Sequence, residues 1–600
     1  MKNEYDARMS HKYDMGIVGN CAYLSYIDKR ANVVWQCMPY FDSSFIFGSL
    51  MDKQKGGEFS ITPAKDEFTS KQYYLPNTNV LATEFDCPDG KYRVLDFAPR
   101  FEMFERFHRP LMLMRKIERL EGNPQVRVVC RPVGDYGQKQ AEVHLGSNHI
   151  SYSGIGENVR LTSNISKINI TKEKSFPLTS NKHLVFSYGK HLEQPLESTV
   201  EDFLRKTIEY WRKWIARSTV PDFAQEEVIR SSLILKLHQY EDTGAIIASG
   251  TTSLPEHPGT ERNWDYRYCW IRDSYFTLSA LNSLSHFSEM ENFSHYIQNL
   301  VRMDMDSMQP MYKIDGGKNI IESILPLEGY QGNGPVRIGN QAYEQIQNDV
   351  YGQTILSLLP LFTDKRLIET KSRPSLDIIT KLLELIKVNM DVADAGIWEY
   401  RGKEARHTES YLFHWAGAKA AIKIANQYHD NKLLELAQDV LKEATIRIEQ
   451  TYDDVQRAYT VAIENKNLNA SEYLLLTMNY IDHKSAKAVD HFEALTKALK
   501  TENDLIYRYQ EIDDFGETHS TFMICGFWYV EALACLGRVD EAIRVFDELK
   551  TLTNEVGIFS EDVDPADLSQ WGNFGQTYSH VGLINAAFRI SAKLNKLPFE

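Results

Sequence analysis

Three segments gather the residue types that sugar chemistry uses. In RNWDYRYCWIRDS (262–274), Trp264, Tyr266 and Trp270 surround Arg272 and Asp273. A sugar presents flat apolar faces and a rim of hydroxyls. Aromatic rings stack on the faces, while an Arg–Asp pair offers a donor and an acceptor to adjacent hydroxyls. The same residues also suit an aromatic plug sealed by a structural salt bridge. In GIWEYRGKEARHTES (396–410), Glu399 follows Trp398 just ahead of a predicted helix. Partial desolvation beside the indole favours the protonated form, which a general acid needs. Pairing with Arg401 or Arg406 would instead make it an ordinary loop carboxylate. In GIFSEDVDPADLSQWGNFGQTYSH (557–580), Glu561 stands after a helix, ahead of further acids and a Gly-rich aromatic turn. It suits a general base, and the segment equally suits a solvated acidic loop. DVDPAD lacks the glycine and the bidentate Glu of an EF-hand loop, so calcium is poorly supported. Two glutamates in separate loops of one helical region are what glycoside hydrolysis requires. One protonates the leaving oxygen, and the other activates water or attacks carbon.

Other chemistries find little support. There is no H-E-x-x-H, no Walker A pattern and no G-x-S-x-G elbow. His407 and His414 are seven apart, the spacing of one helical face, but core or loop histidines explain them better than a zinc pair. The seven cysteines are scattered without a C-x-x-C pair, which reads as free thiols, with Cys525 and Cys535 the two that helices could bring close. With 67 Lys plus Arg against 82 Asp plus Glu, the net charge is −15, the wrong sign for nucleic acid as a main partner. The first residues, MKNEYDARMSHKYD, carry no apolar core of a signal peptide, and no run approaches the ~18 apolar residues of a membrane span. The expected location is cytoplasmic.

The elements that must position these residues change character near residue 200. Before it lie short runs rich in Val, Phe and Tyr, bounded by turn residues: 32–41, 91–99, 126–133 and 182–189. These read as strands of an antiparallel sandwich. Residues 200–218 show helical apolar spacing and read as a connecting helix. Helical spacing then recurs over 224–240, 271–284, 290–306, 352–362, 375–390, 409–428, 432–452, 488–500, 521–537, 539–552 and 576–592. About a dozen helices joined by short and long loops suggest paired rings, an (α/α) toroid. The expected division is a β-sandwich over 1–198, a helical linker over 199–220 and a helical catalytic domain over 221–600. Loops 243–268, 307–348 and 391–408 are long and aromatic-rich, as functional loops are.

Five segments, in order, resemble glycoside hydrolase family 15, the glucoamylase, glucodextranase and trehalase-like proteins of bacteria and archaea. They are MGIVGNCAYLSYIDKRANVVWQCMPYFDSSFIFGSLMD (15–52), NWDYRYCWIRDSYFTLSAL (263–281), NQAYEQIQNDVYGQ (340–353), GIWEYRGKEARHTES (396–410) and, near the end, SED with GNFGQTYSHVGLINAA (560–587). The resemblance implies an N-terminal β-sandwich, a linker helix and an (α/α)6 barrel. It implies an inverting, exo-acting α-glucosidase without metal or cofactor. Glu399 would be the general acid and Glu561 the base that activates water. Arg272 and Asp273 would hold the non-reducing glucose, Tyr266 would sit near the base, and Trp270 and Trp398 would line the pocket. The implied substrate is an α-glucan oligosaccharide or a small α-glucoside. Tyr400 between Glu399 and Arg401, the run Arg406-His407-Thr408-Glu409 and the run Phe574-Gly575-Gln576 depart from the family's phrases. They leave α-1,4, α-1,6 and trehalose linkages open. A glycoside phosphorylase, which needs no base carboxylate, and a non-catalytic sugar-binding protein are the other readings. Oligomeric state is not legible, with a homodimer carried as an option.

Overall fold

The computed structural model describes residues 10–303, 307–365 and 374–594. Its first part is built of antiparallel sheets. The largest has eight strands, in the spatial order Glu142–Leu145, His149–Ser153, Val159–Ser163, Lys182–Tyr188, Met112–Gly122, Gly90–Phe97, Leu81–Cys87 and Thr69–Tyr74. A four-stranded sheet (Met15–Gly19 to Phe45–Phe47) and a three-stranded one centred on Gln125–Arg131 pack against it. Phe47 and Phe59 from the smaller sheets meet Phe186 of the large one at 5.1 and 5.7 Å between ring centres. A fully buried ion pair ties the layers. Arg115 donates to Asp96 at 2.6 Å within the large sheet and to the carbonyls of Phe59 (2.8 Å) and Ala31 (2.6 Å) beyond it. A buried guanidinium persists only when its donors are used this way. All four strands expected from the sequence are present.

The helix Leu196–Ile215 lies across the outer face of the large sheet. Its Val200 and Leu204 pack on Val80, Leu95, Phe97 and Met112. Beyond it, among the described residues, helices alternate between two rings. The inner ring runs Ile271–Ser283, Asp349–Thr363, Thr408–Tyr428, Leu474–Thr477 with its preceding 3-10 turn, Met523–Cys535 and Thr577–Leu594, each touching the next and the last touching the first. The outer ring runs Gln225–Leu237, Phe287–Met303, Leu376–Asn389, Asn431–Gln450, Ala486–Leu499 and Val539–Leu549. This is an (α/α)6 barrel.

Residue pattern decides the ring. Met523–Cys535 is buried at every position, as an inner helix must be. Asn431–Gln450 buries only Leu433, Ala437, Val440, Ala444 and Ile448, a single stripe. Gly352 and Gly417 let two inner helices touch, since a Cβ on Gly352 would lie 2.0 Å from the Phe413 carbonyl oxygen. The expected helix 290–306 is seen as Phe287–Met303, its last three positions lying outside the described residues.

Each inner helix is entered by a long loop, and Ile271–Ser283, Thr408–Tyr428 and Met523–Cys535 are left by connections of two or three residues. The long loops therefore collect at one end of the barrel, where the inner helix N-termini point. The β-rich part braces that end. Trp35 donates to the Gly250 carbonyl (2.8 Å), Tyr26 to that of Phe574 (3.2 Å) and Tyr13 to that of Gly572 (3.0 Å). Among the described residues no helix is long and apolar enough to cross a membrane.

Candidate active site

Two small joined chambers open among the long loops. The inner one is walled by Tyr266, Trp270, Arg272, Asp273, Trp398, Glu399, Gln576 and Tyr578. The outer one is walled by Glu256, Arg262, Trp264, Arg401, Asp513 and Phe515, and shares Tyr266, Trp398, Glu399 and Arg508 with the first. Six of the seven residues singled out in the sequence thus line one cavity. None of its walls comes from before residue 248. The β-rich part props the site from behind.

Arg272 and Asp273 open the inner helix Ile271–Ser283. Arg272 donates from Nε to Asp273 (3.0 Å) and from its terminal nitrogen to the Ile397 carbonyl (2.6 Å). Burial raises the Asp273 carboxyl, and the guanidinium beside it opposes that rise. Arg272 also pins the turn that carries Glu399. From below, Glu409 accepts the Ile397 amide (3.0 Å). Gly396 takes a left-handed φ of 67°, where a Cβ would press on His407 (2.9 Å) and Glu409 (3.0 Å). Glu399 itself has φ 62°, a conformation that costs about 1–3 kcal/mol outside glycine and persists only where surroundings impose it.

The Glu399 carboxylate takes a hydrogen bond from the Trp270 indole at 2.6 Å and lies 3.6 Å from Arg272. Arg401 and Arg406 pair elsewhere, with Glu322 and Glu464. Three buried polar atoms of the inner chamber lack a protein partner: Gln576 Oε1, the Tyr578 hydroxyl and Trp398 Nε1. They suit a polyol, which brings donors and acceptors on one ring.

Glu561 sits behind Tyr266, whose hydroxyl hydrogen-bonds its carboxylate. It is not in a loop, as the sequence suggested, but on the short strand Ser560–Val563, between Thr521–Phe522 and Gln570–Phe574. Four-residue pairing with acidic members gives no alternating apolar signal, so the strand was not legible. A bulge falls opposite Glu561, with Gly572 and Asn573 facing one residue. Gly572 has φ 72°, and a Cβ there would lie 2.7 Å from Glu561 Cβ. The Asn573 amide donates to Glu561 Oε2 at 3.2 Å.

Sequence reasoning missed what surrounds Glu561. Glu256, Glu561 and Asp562 bring one carboxylate oxygen each within 4.8 Å of one another. All are at most 3% exposed. Burial, and next the Glu256 charge, push Glu561 up to about 8, while Arg508 opposes. The donor set could hold a cation, but a fixed one already stands there: Arg508 pairs with Glu256. Arg262 pairs with Asp513. Glu256 and Arg508 stand in unremarkable segments, and no spacing linked them to Glu561. His414 bonds the Asn348 carbonyl (2.9 Å) and His407 faces Glu409 (3.7 Å), so the two histidines make no metal pair. All seven cysteines are free thiols.

In the wall of the outer chamber one guanidinium lies over two rings. The Arg401 guanidinium lies 4.5 Å from the Trp264 ring centre and 5.4 Å from that of Phe515. The Arg337 guanidinium also lies over the Trp264 ring, 4.7 Å from its centre.

Residues 222–588 match the model of glycosyl hydrolases family 15, and residues 10–183 match that of the trehalase-like N-terminal domain. A trehalase of Thermoplasma volcanium is 29% identical over 97% of this chain and 94% of its own length. A trehalase of Mycobacterium tuberculosis is 29% identical over 94% of this chain and 87% of its own. A crystal structure of a bacterial glucoamylase complexed with acarbose superposes with a TM-score of 0.69 at 16% identity, covering 98% of this chain and 95% of that one, a likeness of fold.

Proposed function

The chain belongs to glycosyl hydrolases family 15, and from that premise we propose that it is an inverting α-glucosidase whose substrate is trehalose. The observation that carries this reading is the position of Glu399 at the waist that the two chambers share, with the Glu561 carboxylate against the hydroxyl of Tyr266, which lines both. A disaccharide places its glycosidic oxygen at that waist. Arg272 and Asp273 grip hydroxyls of the inner glucose, and Gln576, Tyr578 and Trp398 complete its partners. Trp270 and Arg272 occupy one oxygen of Glu399, which leaves the other to carry the proton delivered to the leaving sugar. Glu561 draws a proton from the water that attacks the anomeric carbon from the opposite face. Inversion requires room for that water, ~6.5–9.5 Å between the two carboxylates.

Trehalose is favoured over longer α-glucans by the outer chamber. Arg401, Trp264 and Phe515 pack together in its wall, and its small size suits one aglycone ring. The relatives reported above, which match along nearly their whole length, are trehalases. The test is glucose release from trehalose, maltose, isomaltose and a long maltosaccharide. The expected outcome is a kcat/KM on trehalose at least about a hundredfold above the others, a difference of ~3 kcal/mol in transition-state binding. Early proton NMR should show one β- and one α-glucose from each trehalose. Equal or better turnover of the long maltosaccharide would overturn the trehalose assignment.

A further inference from the structure

Asp562 is buried completely, and neither of its carboxylate oxygens has a hydrogen-bond donor. Its two acidic neighbours are better served. Glu256 accepts the Trp264 indole at 3.0 Å and pairs with Arg508. Glu561 accepts the Asn573 amide and faces the Tyr266 hydroxyl, with Oε1 otherwise unpartnered. On a flat strand, neighbouring side chains project to opposite faces. Here both 561 and 562 reach the space that a side chain at 572 would fill: a Cβ on Gly572 would lie 2.8 Å from Glu561 Oε2 and 3.0 Å from Asp562 Oδ2.

The groups facing Asp562 are few. Glu561 shares its strand, while Glu256, Arg262 and Arg508 come from the long loops. Tyr13 approaches from the N-terminal segment and Cys525 from the helix Met523–Cys535. On the flanking strands its register partners are Phe522 and Trp571, which carry no charge. Burial raises both Tyr13 and Cys525, so they stay neutral. Arg262 is committed to Asp513, and Arg508 to Glu256. Three ionised carboxylates would leave two uncompensated negative charges among buried side chains. A buried, unpaired carboxylate is far costlier than its neutral acid. One proton removes the excess and leaves a single negative charge, the one a base needs. The group without donors is where that proton is held most cheaply.

We propose that Asp562 works as an uncharged carboxylic acid whose O–H is directed at the ionised Glu561, making it a positioning residue for the base. This rests on the reading of Glu561 as the base. The proton stays on Asp562 through the cycle, and the one that Glu561 takes from water leaves to solvent. Burial followed by the Glu561 and Glu256 charges raises the Asp562 carboxyl well above its ordinary range, in the same sense. The arrangement answers a conflict in the site. Burial alone would protonate Glu561 and disable it, and a neutral donor beside it offsets that push without adding charge.

The test is the acid limb of kcat/KM against pH in two variants. Asp562→Leu removes the donor and should move the limb up by about one pH unit, the size of one hydrogen bond to an anion. Asp562→Asn keeps a neutral N–H donor and should hold the limb within about 0.3 unit of the wild type. Were Asp562 ionised in the working enzyme, both variants would remove a negative charge and move the limb down. That result, or no movement in either, overturns the proposal. Infrared difference spectra give a second readout that does not depend on the Leu variant folding. The wild type at neutral pH should show a protonated-carboxyl carbonyl band that Asp562→Asn lacks, and the same band count in both contradicts the proposal. Glu561→Gln separates the two layers: normal turnover in that variant would remove Glu561 as base, while the infrared band still decides where the proton sits.

Discussion

Trp270 and Arg272 crowd one oxygen of Glu399, and in the proposed reaction this crowding gives its acid role a defined direction. The indole N–H at 2.6 Å fixes the carboxyl plane. Trp270→Phe keeps the aromatic wall and removes only that donor. The expected outcome is a fall in kcat of about tenfold with KM little changed, since one hydrogen bond is worth ~1–1.5 kcal/mol. Steady-state kinetics on trehalose checks it. At this scale much of the site was legible. Tyr266, Trp270, Arg272 and Asp273 lie within eight residues of one another, and an aromatic run holding an Arg–Asp pair is a chemical signal by type alone. Glu256, Arg508 and Asp562 were not legible as a cluster. Glu256 sits in a turn-rich loop and Arg508 among ordinary polar residues, and only the folded chain brings them to Glu561.

The short strand that presents Glu561 depends on a glycine. Gly572 holds a left-handed φ, and its missing side chain is the space where two carboxylates meet. Gly572→Ala should cost about 1–2 kcal/mol of stability and lower kcat at least tenfold, because the new methyl displaces Glu561. Thermal melts and kinetics read both. A second element carries a pH signature. Asp349 opens the inner helix Asp349–Thr363, and burial, then Asp394, push it up to about 7. The folded state therefore holds a proton that the unfolded chain releases near pH 4, so this group's contribution to stability falls as pH rises from about 4 to about 7. Asp349→Asn removes that dependence. Its Tm relative to wild type should climb between pH 5 and pH 8, and a flat difference contradicts the account. Helices of ordinary length were readable from apolar spacing. The inner element Leu474–Thr477 was not, because four residues behind a 3-10 turn are too short for any period to register.

Across the whole molecule, two architectures divide one task. The barrel gathers six long loops at the N-terminal ends of its inner helices, where helix dipoles favour negative groups. The sheets contribute no wall to the cavity but hold the backbone of Gly250, Gly572 and Phe574 through Trp35, Tyr13 and Tyr26. The change in pattern near residue 200 made the two parts legible. Their mode of docking was not, since it rests on single hydrogen bonds between residues hundreds of positions apart. The central claim is that Glu399 gives a proton from the cavity wall and that Glu561, set behind Tyr266, takes one. It is tested most directly by assaying Glu399→Gln and Glu561→Gln on trehalose and on α-glucosyl fluoride, whose fluoride leaves without being protonated. The account predicts that both variants lose at least about a thousandfold in kcat on trehalose, that Glu399→Gln still releases fluoride, and that Glu561→Gln does not. Near-normal trehalose turnover in either variant, or fluoride release surviving in Glu561→Gln, would contradict it.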